Sequence, residues 1–253
     1  MERGFPFRGF SPEEKGRIEC VISDVDDTIT SGGRLLPEAL AALYLIRKSG
    51  RRIILLTGGS AGWADVYARQ WPVDGVIAES GALMISNEGG RIIYRTNPVI
   101  EEKRYMEQRN SFLSMLPASS LSSDQYARIY DIAVDKAKIS DKERAFIIAE
   151  AERTGAFYSE SSIHINIWFA PYDKWLGLQY FTENSFGISH EDLKQRSIYL
   201  GDGLNDQIIF REIPLSIGMN SVERMRNEFK CLPLYITDEN GGLGFKKVID
   251  SIV

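Results

Sequence analysis

Three carboxylates follow an apolar, β-branched run near the start of the chain. Residues 18–30 read IECVISDVDDTIT, so Asp24, Asp26 and Asp27 come directly after the apolar run. Such a run predicts a buried strand with acidic side chains at its carboxyl end. Open parallel α/β sheets hold their ligands at that end of the strands. A carboxylate and a backbone carbonyl two residues further on can share one divalent cation, and an all-oxygen site suits Mg²⁺.

The chain continues as an alternation of helices and short apolar strands. A helix is predicted from Pro37 to Gly50, and a strand over 52–57 precedes a second helix over 61–70. A third strand is predicted over 73–79. Strand, helix, strand and helix in this order imply a parallel sheet with right-handed crossovers.

The pattern changes after the third strand. Residues 82–86 and 91–95 flank a glycine-containing turn and predict a hairpin, which belongs either to the edge of the core sheet or to the base of an insert. We predict a core of residues 1–86 and 172–253 and an α+β insert of residues 87–171. The insert is predicted to contain a helix over 99–116, a strand over 126–134, a helix from Ser140 to Gly155 whose capping box includes Glu143, and a strand over 163–169. The later core is predicted to contain helices over 173–186, 205–211, 222–229 and 245–252 and strands over 197–200, 214–217 and 233–236.

Composition narrows the possible classes of function. The net charge of −5 and the scattered basic residues argue against a nucleic-acid or anionic membrane partner. Two cysteines, Cys20 and Cys231, are too few for a disulfide framework or a zinc site. No apolar run approaches the ~18 residues of a membrane span. We expect a cytoplasmic protein that acts on a small molecule, and its oligomeric state stays open.

Reactive side chains stand at four predicted strand or helix boundaries, and a parallel sheet would bring them to one rim. These four segments resemble the motifs of the haloacid dehalogenase superfamily, whose phosphatases form an aspartyl phosphate. The insert between the second and third motifs resembles the large cap of the Cof-like and sucrose-phosphatase-like subgroup. The resemblance implies a Rossmann-like core, with a parallel sheet flanked by helices and an inserted α+β cap. The segments are DVDDT at 24–28, LLTGG at 55–59, Lys174 in YDKWLGL, and GDGLND at 201–206.

The resemblance also implies a role for each catalytic side chain. Asp24 would be the nucleophile that takes up the phosphoryl group. Asp26 would protonate the leaving oxygen and later accept a proton from the hydrolytic water. Lys174 would stabilise both the nucleophile and the transferring group.

Mg²⁺ would be held by the Asp24 carboxylate, the Asp26 backbone carbonyl and Asp202. Asp206 is expected to act either through a water ligand or as a partner that positions the metal ligands, and we prefer the second alternative. The neutral groups expected to donate hydrogen bonds to the phosphoryl oxygens are the Thr57 hydroxyl, the Gly58 amide and the Asn205 side chain.

Two positions depart from the family pattern. Asp27 stands where the family usually has glycine, and it either points to solvent, which we prefer, or raises the pKa of Asp26 by like-charge repulsion. Gly59 replaces a frequent arginine, so a second anionic group of a substrate would have to be bound elsewhere.

Substrate selection is expected to reside in the insert. Alternation along 163–169 places Ile163, Ile165, Ile167 and Phe169 on one face. The other face then presents His164, Asn166 and Trp168, and we predict that His164 and Asn166 look into the catalytic cleft. Weaker candidates for the cleft are Arg128, Tyr130, Glu79 and Ser80.

These observations predict a Mg²⁺-dependent phosphatase for a small phosphorylated metabolite, either a sugar phosphate or a sugar-acid phosphate. One alternative is a phosphomutase resembling phosphomannomutases, which would return the phosphoryl group to a sugar. A second alternative is a sensor that binds a phosphorylated ligand without turnover. The sensor has less support, because binding alone does not require a general acid beside a nucleophile.

Overall fold

The structure is a computed structural model that describes residues 2–161 and 163–253. Within these residues the chain forms a mixed α/β fold with a large sheet, a three-stranded sheet and a short two-stranded flap. The strands are β1 (Phe5–Pro6), β2 (Cys20–Ser23), β3 (Thr30–Ser31), β4 (Arg34–Leu35), β5 (Arg52–Leu56), β6 (Gly75–Ala78), β7 (Leu83–Glu88), β8 (Arg91–Thr96), β9 (Ile132–Asp135), β10 (Phe157–Glu160), β11 (His164–Trp168), β12 (Ser197–Gly201), β13 (Ser216–Gly218) and β14 (Tyr235–Ile236). The α-helices are α1 (Pro12–Arg17), α2 (Pro37–Lys48), α3 (Ala61–Gln70), α4 (Glu102–Met115), α5 (Asp141–Thr154), α6 (Lys174–Phe186), α7 (His190–Arg196), α8 (Gln207–Glu212), α9 (Ser221–Arg224) and α10 (Gly241–Asp250).

The large sheet has the strand order β1-β14-β13-β12-β2-β5-β6-β7-β8. Every neighbouring pair from β1 to β6 is parallel, and β7 and β8 extend the sheet in antiparallel fashion. Strand β2 lies between β12 and β5, so the carboxyl ends of these three strands meet at one edge. The predicted parallel α/β core is therefore confirmed.

The central strands are buried on both faces, as parallel sheets require. Val21 belongs to the same buried cluster as Leu43 of α2 and Phe245 of α10. The next residue, Ile22, belongs to the opposite cluster together with Phe181 of α6. Consecutive strand residues point to opposite faces, so helices on both sides are needed to cover this apolar run.

The helix boundaries follow local capping chemistry. Ser140 accepts the Glu143 N–H, and the Glu143 side chain accepts the Ser140 N–H, which completes the predicted capping box of α5. Gly155 ends that helix with φ of 71°, a left-handed conformation that favours glycine. Asp173 accepts the Leu176 N–H at 2.8 Å and so fixes the start of α6 beside the core sheet.

The insert contains its own small core. Its antiparallel sheet has the order β10-β11-β9, and α4 and α5 pack against it. Ile165 and Ile167 of β11 are buried with Phe112 and Ile147, as alternation predicts. Ile163 departs from the prediction, because the strand begins one residue later and this side chain is 46% exposed.

The predicted hairpin belongs to the core sheet. Residues 87–96, which the sequence analysis assigns to the insert, lie in β7 and β8, and β7 pairs with β6. The predicted boundary at residue 87 is therefore too early, because strand pairing between β7 and β6 makes the hairpin part of the core sheet. The name "insert" is used below for residues 97–171.

Other predicted elements are shortened. Over 126–134 only the last residues form a strand, because the N–H groups of 129–131 bond to a side chain instead of a neighbouring strand. Over 222–229 the helix α9 ends at Arg224, and a short turn follows. Among the described residues, no helix is both long and apolar enough to cross a membrane.

Candidate active site

A buried lysine joins two carboxylates at the centre of the sheet edge. Asp24 directly follows β2, and its N–H donates to the Leu200 carbonyl at 2.9 Å, which continues the pairing with β12. The Lys174 ammonium at the start of α6 lies 2.8 Å from Asp24 Oδ1 and 2.7 Å from Asp206 Oδ1. Burial alone would lower the pKa of Lys174, but Asp206 and Asp24 raise it above its ordinary value. The two acids therefore stabilise the charged form of the lysine.

Asp206 is held by contacts to both of its oxygens. Oδ1 also accepts the Tyr199 hydroxyl at 2.6 Å, and Oδ2 accepts the N–H groups of Asp202 and Gly203 at 3.0 and 3.2 Å. A Cβ at Gly201 would lie 2.5 Å from Oδ2, so the carboxylate fits only against glycine. These contacts favour the positioning role for Asp206, because they fix the loop that carries Asp202.

Carboxylate oxygens of Asp24, Asp202 and Asp206 lie within 4.8 Å of one another. Burial, together with neighbouring carboxylates, raises the pKa of Asp24 to about 7 and that of Asp202 to about 9. Lys174 opposes this effect in each case. Oxygen donors with this excess of negative charge suit a hard divalent cation such as Mg²⁺, so the residues fit the expected metal.

Asp26 faces the cleft beside this cluster, where it is exposed on one side and surrounded by protein on the others. That partial desolvation raises its pKa, and the neighbouring Asp27 raises it further. Asp27 has φ of 55°, a left-handed conformation typical of glycine and tolerated by aspartate, and its Oδ1 accepts the Gly32 N–H at 2.9 Å. Asp27 is therefore half-buried and bound to the flap, so it does not extend freely into solvent as preferred above, and whether its charge affects Asp26 in catalysis stays a prediction.

The cleft between core and insert has a volume of about 220 Å³. An adjoining groove of about 610 Å³ shares Ser80, Ser159 and Asn205 with the cleft and reaches Lys174. Lys174 lies beneath the cleft in contact with Asp24, and Asp206 in turn contacts Lys174. The other predicted site residues all line it: Asp24, Asp26, Thr57, Gly58, His164, Asn166, Asp202 and Asn205.

The expected phosphate-binding loop follows β5. Thr57 is 2% exposed, and its hydroxyl accepts the Gly59 N–H at 2.9 Å, which folds the loop over the end of the strand. The Gly58 carbonyl accepts the side chains of Arg128 and Asn166 at 2.9 and 3.1 Å. The Gly58 carbonyl therefore joins this loop to two side chains of the insert.

The insert residues predicted for the cleft have different surroundings. Burial, followed by the charge of Arg128, lowers the pKa of His164, which is half-buried at the cleft wall. Asn166 is 5% exposed and donates to Asp131 Oδ2 at 2.7 Å, so its amide is engaged in the protein. Tyr130 does not line the cleft, since its hydroxyl bonds Thr96 at 2.9 Å outside it.

Glu79 connects the core to the insert. This fully buried residue follows β6, and Glu79 and Ser80 have φ of 50° and 58°. Its carboxylate accepts the N–H of Ala61 at 2.9 Å and the N–H groups of residues 129–131 at 2.7 to 2.9 Å. Burial and, to a smaller extent, the charge of Asp131 raise the pKa of Glu79 to about 7, although the backbone N–H groups oppose the shift. We name this arrangement, Glu79 with the amides of 129–131, the insert clamp.

Arg128 extends the clamp toward the cleft. Its Nη1 lies 2.8 Å from Asp131 Oδ1, and its Nε and Nη2 each lie 3.3 Å from an oxygen of Asp124. No sequence pattern points to Asp124 or Asp131 as site residues, and Glu79 is only a weak candidate. The sequence feature that indicates Glu79 is its position at the end of a predicted strand, which it shares with Asp24 and Thr57. Asp131 lies in a predicted strand, where no local pattern indicates its partners.

Fold and site together define an α/β protein with a carboxylate-rich rim at the carboxyl ends of its parallel strands and an insert above it. No protein-family model and no curated protein matches this sequence. The chain is similar to a solved haloacid dehalogenase-like hydrolase from B. subtilis, with a TM-score of 0.67 and 13% identity over 93% of this chain and 100% of that one. The chain therefore has the fold of the haloacid dehalogenase-like hydrolases.

Two further solved structures support this assignment of the fold. A sucrose-phosphatase from Synechocystis, in complex with sucrose and phosphate, gives a TM-score of 0.64 and 14% identity over 93% of this chain and 98% of that one. A protein from Thermoplasma acidophilum gives a TM-score of 0.71 and 16% identity over the same shares of the two chains. The insert is part of the likeness, because the matches extend over nearly the whole chain.

Proposed function

We propose that this protein is a Mg²⁺-dependent phosphatase that hydrolyses a small phosphorylated metabolite, either a sugar phosphate or a sugar-acid phosphate, through a phosphorylated Asp24. The observation that supports this most is the buried contact of Lys174 with Asp24 and Asp206, next to Asp202 and below a cleft that exposes Asp26. A nucleophile, a charge-neutralising cation and a candidate general acid thus surround one small volume. This combination is what phosphoryl transfer requires.

The first step would be attack of an Asp24 carboxylate oxygen on the phosphorus atom. A bond forms between that oxygen and phosphorus, and the bond from phosphorus to the leaving oxygen breaks. Asp26 would donate a proton to the leaving oxygen, and its raised pKa favours the protonated form that this step needs. Lys174 would stabilise Asp24 and the transferring group by its fixed positive charge.

The second step would be attack of water on the phosphorylated Asp24. Asp26, now ionised, would accept a proton from that water, and inorganic phosphate would leave with Asp24 restored. The Thr57 hydroxyl, the Gly58 amide and the Asn205 side chain would bind the phosphoryl oxygens at the cleft floor. Bound Mg²⁺ would supply the charge neutralisation that allows an anionic nucleophile to approach an anionic ester.

Asp24, Asp202 and the Asp26 backbone carbonyl would hold the metal. Asp206 would support them through its bonds to the N–H groups of Asp202 and Gly203.

A small substrate is supported by the size of the cleft. Its volume of about 220 Å³ lies below the ~300–1,000 Å³ of sites for drug-sized ligands. The structurally similar sucrose-phosphatase, solved with sucrose and phosphate, adds support for a sugar as the leaving group.

The proposal is tested by measuring inorganic phosphate released from a panel of sugar phosphates, glycerate phosphates and nucleotides, with Mg²⁺ and with a chelator. We expect release with Mg²⁺ that stops with the chelator and resumes when Mg²⁺ is restored. Asp24→Asn should reduce kcat at least about a thousandfold, since it removes the nucleophile. Asp141→Asn, the same change at an exposed position on α5, should leave kcat unchanged. Transfer between sugars without release of phosphate would indicate a mutase instead.

A further inference from the structure

The charge of the cleft outside the catalytic cluster is balanced. Among the described residues that line it, Arg128 is the one lysine or arginine. His164 adds no positive charge at neutral pH, because its pKa is lowered. Asp124 lines the same wall and supplies a carboxylate. The cleft therefore has no surplus cation for a second anionic group of a substrate.

The guanidinium of Arg128 is occupied on both of its edges. Nη1 donates to the Asp131 carboxylate and to the Gly58 carbonyl, while Nε and Nη2 face Asp124 at 3.3 Å. The Arg128 side chain is 1% exposed and that of Asp124 is 16% exposed, so the carboxylate lies on the cleft side of the pair. An incoming anion would meet Asp124 before it could reach Arg128.

The remaining wall of the cleft carries neutral groups. Ser123, Ser159 and Ser161 line it, and the Ser161 hydroxyl also bonds the backbone of its own turn. Trp63 is 51% exposed at the cleft, and its ring stacks on that of Tyr67 with centroids 5.9 Å apart. Hydroxyl groups with an aromatic face suit a polyol, which offers hydroxyls to the serines and C–H groups to the ring.

We propose that the cleft selects phosphate esters of neutral polyols, and that Asp124 excludes substrates with a second anionic group by masking Arg128. This inference rests on the proposed phosphatase function and decides between its two substrate classes, in favour of a sugar phosphate over a sugar-acid phosphate. A carboxylate that the substrate carries in addition to its phosphate would be repelled by Asp124. It would also lose hydration without gaining a cationic partner. Exclusion of this kind is selection by an unfavourable contact with the competitor.

The test compares matched pairs of esters that differ by a single anionic group. The pairs are glucitol 6-phosphate with 6-phosphogluconate, and glycerol 3-phosphate with 3-phosphoglycerate, so that a CH₂OH group replaces a carboxylate in each. Phosphate release with Mg²⁺ gives kcat/KM for each ester. We expect kcat/KM to be at least about tenfold higher for the neutral member of each pair. The acidic member would leave one charge without a partner at a partly buried site.

Asp124→Asn removes the masking charge and keeps the shape of the side chain. In this variant the ratio of kcat/KM for the acidic ester to kcat/KM for the neutral ester should rise at least about tenfold, because the repulsive carboxylate is gone and the charge of Arg128 is no longer neutralised on this edge. Asp141→Asn, at an exposed position on α5, should preserve the wild-type ratio. Asp124→Ser serves as a second variant, which lacks the charge and places a hydroxyl beside Arg128.

The outcomes separate the two proposals. A wild-type enzyme that prefers the acidic esters, or treats both members alike, would overturn the selection inference and leave the phosphatase function intact. A wild-type preference for neutral esters that both Asp124 variants retain would refute the role of Asp124. Absence of release from every ester, by folded protein with Mg²⁺, would instead refute the phosphatase function itself.

Discussion

Replacing Glu79 with glutamine should loosen the insert clamp. Oε1 accepts the N–H groups of Ala61 and Ile129, and Oε2 accepts those of Tyr130 and Asp131. Glutamine keeps one of these oxygens and turns its NH₂ group toward the other two donors. Two buried N–H groups then lose their acceptor, at about 1–3 kcal/mol each. The variant also avoids burying a charge, so we expect a net loss of about 2–4 kcal/mol in the free energy of unfolding.

Urea unfolding at pH 8 measures this loss, because the pKa of Glu79 is raised to about 7 and the group is ionised there. Glu88→Gln is the matched control, since its carboxylate on the neighbouring strand is 49% exposed and should change stability by less than about 0.5 kcal/mol. Hydrogen exchange at the amides of 129–131 locates the effect, and their protection should fall. Equal unfolding free energies for wild type and Glu79→Gln, or unchanged protection of these amides, would refute the reasoning.

Two further predictions concern the catalytic loops. Gly201→Ala places a Cβ 2.5 Å from Asp206 Oδ2, so we expect kcat to fall at least about tenfold. Gly16→Ala, with no atom near its added Cβ, should match wild type in phosphate release, and a fully active Gly201→Ala would contradict the geometry. Asp27→Gly fits the φ of 55° and removes a charge that raises the pKa of Asp26, so the alkaline limb of the kcat/KM profile should move to lower pH. An alkaline limb that stays in place or moves upward would show that Asp27 does not act on Asp26.

The sequence alone determined the α/β alternation and the residues at the sheet edge. Both depend on local chemistry, because a short apolar run specifies a strand and a side chain just after it stands at the carboxyl end. Asp24, Thr57 and Asp202 are placed in this way. The ends of helices are also determined by nearby residues, as the capping box of α5 and Gly155 show.

Only the tertiary structure decided how the insert meets the core. The hairpin of β7 and β8 joins the core sheet through pairing with β6, and no local pattern distinguishes this from pairing within the insert. The Glu79 contacts join residues 50 to 52 positions apart, and the Gly58 carbonyl meets Asn166 across 108 positions. The pairing of Asp124 with Arg128 is local, but its place on the cleft wall depends on how the insert folds over the core. Contacts of this kind follow from packing of the whole chain, because local periodicity carries no information about which distant groups become neighbours.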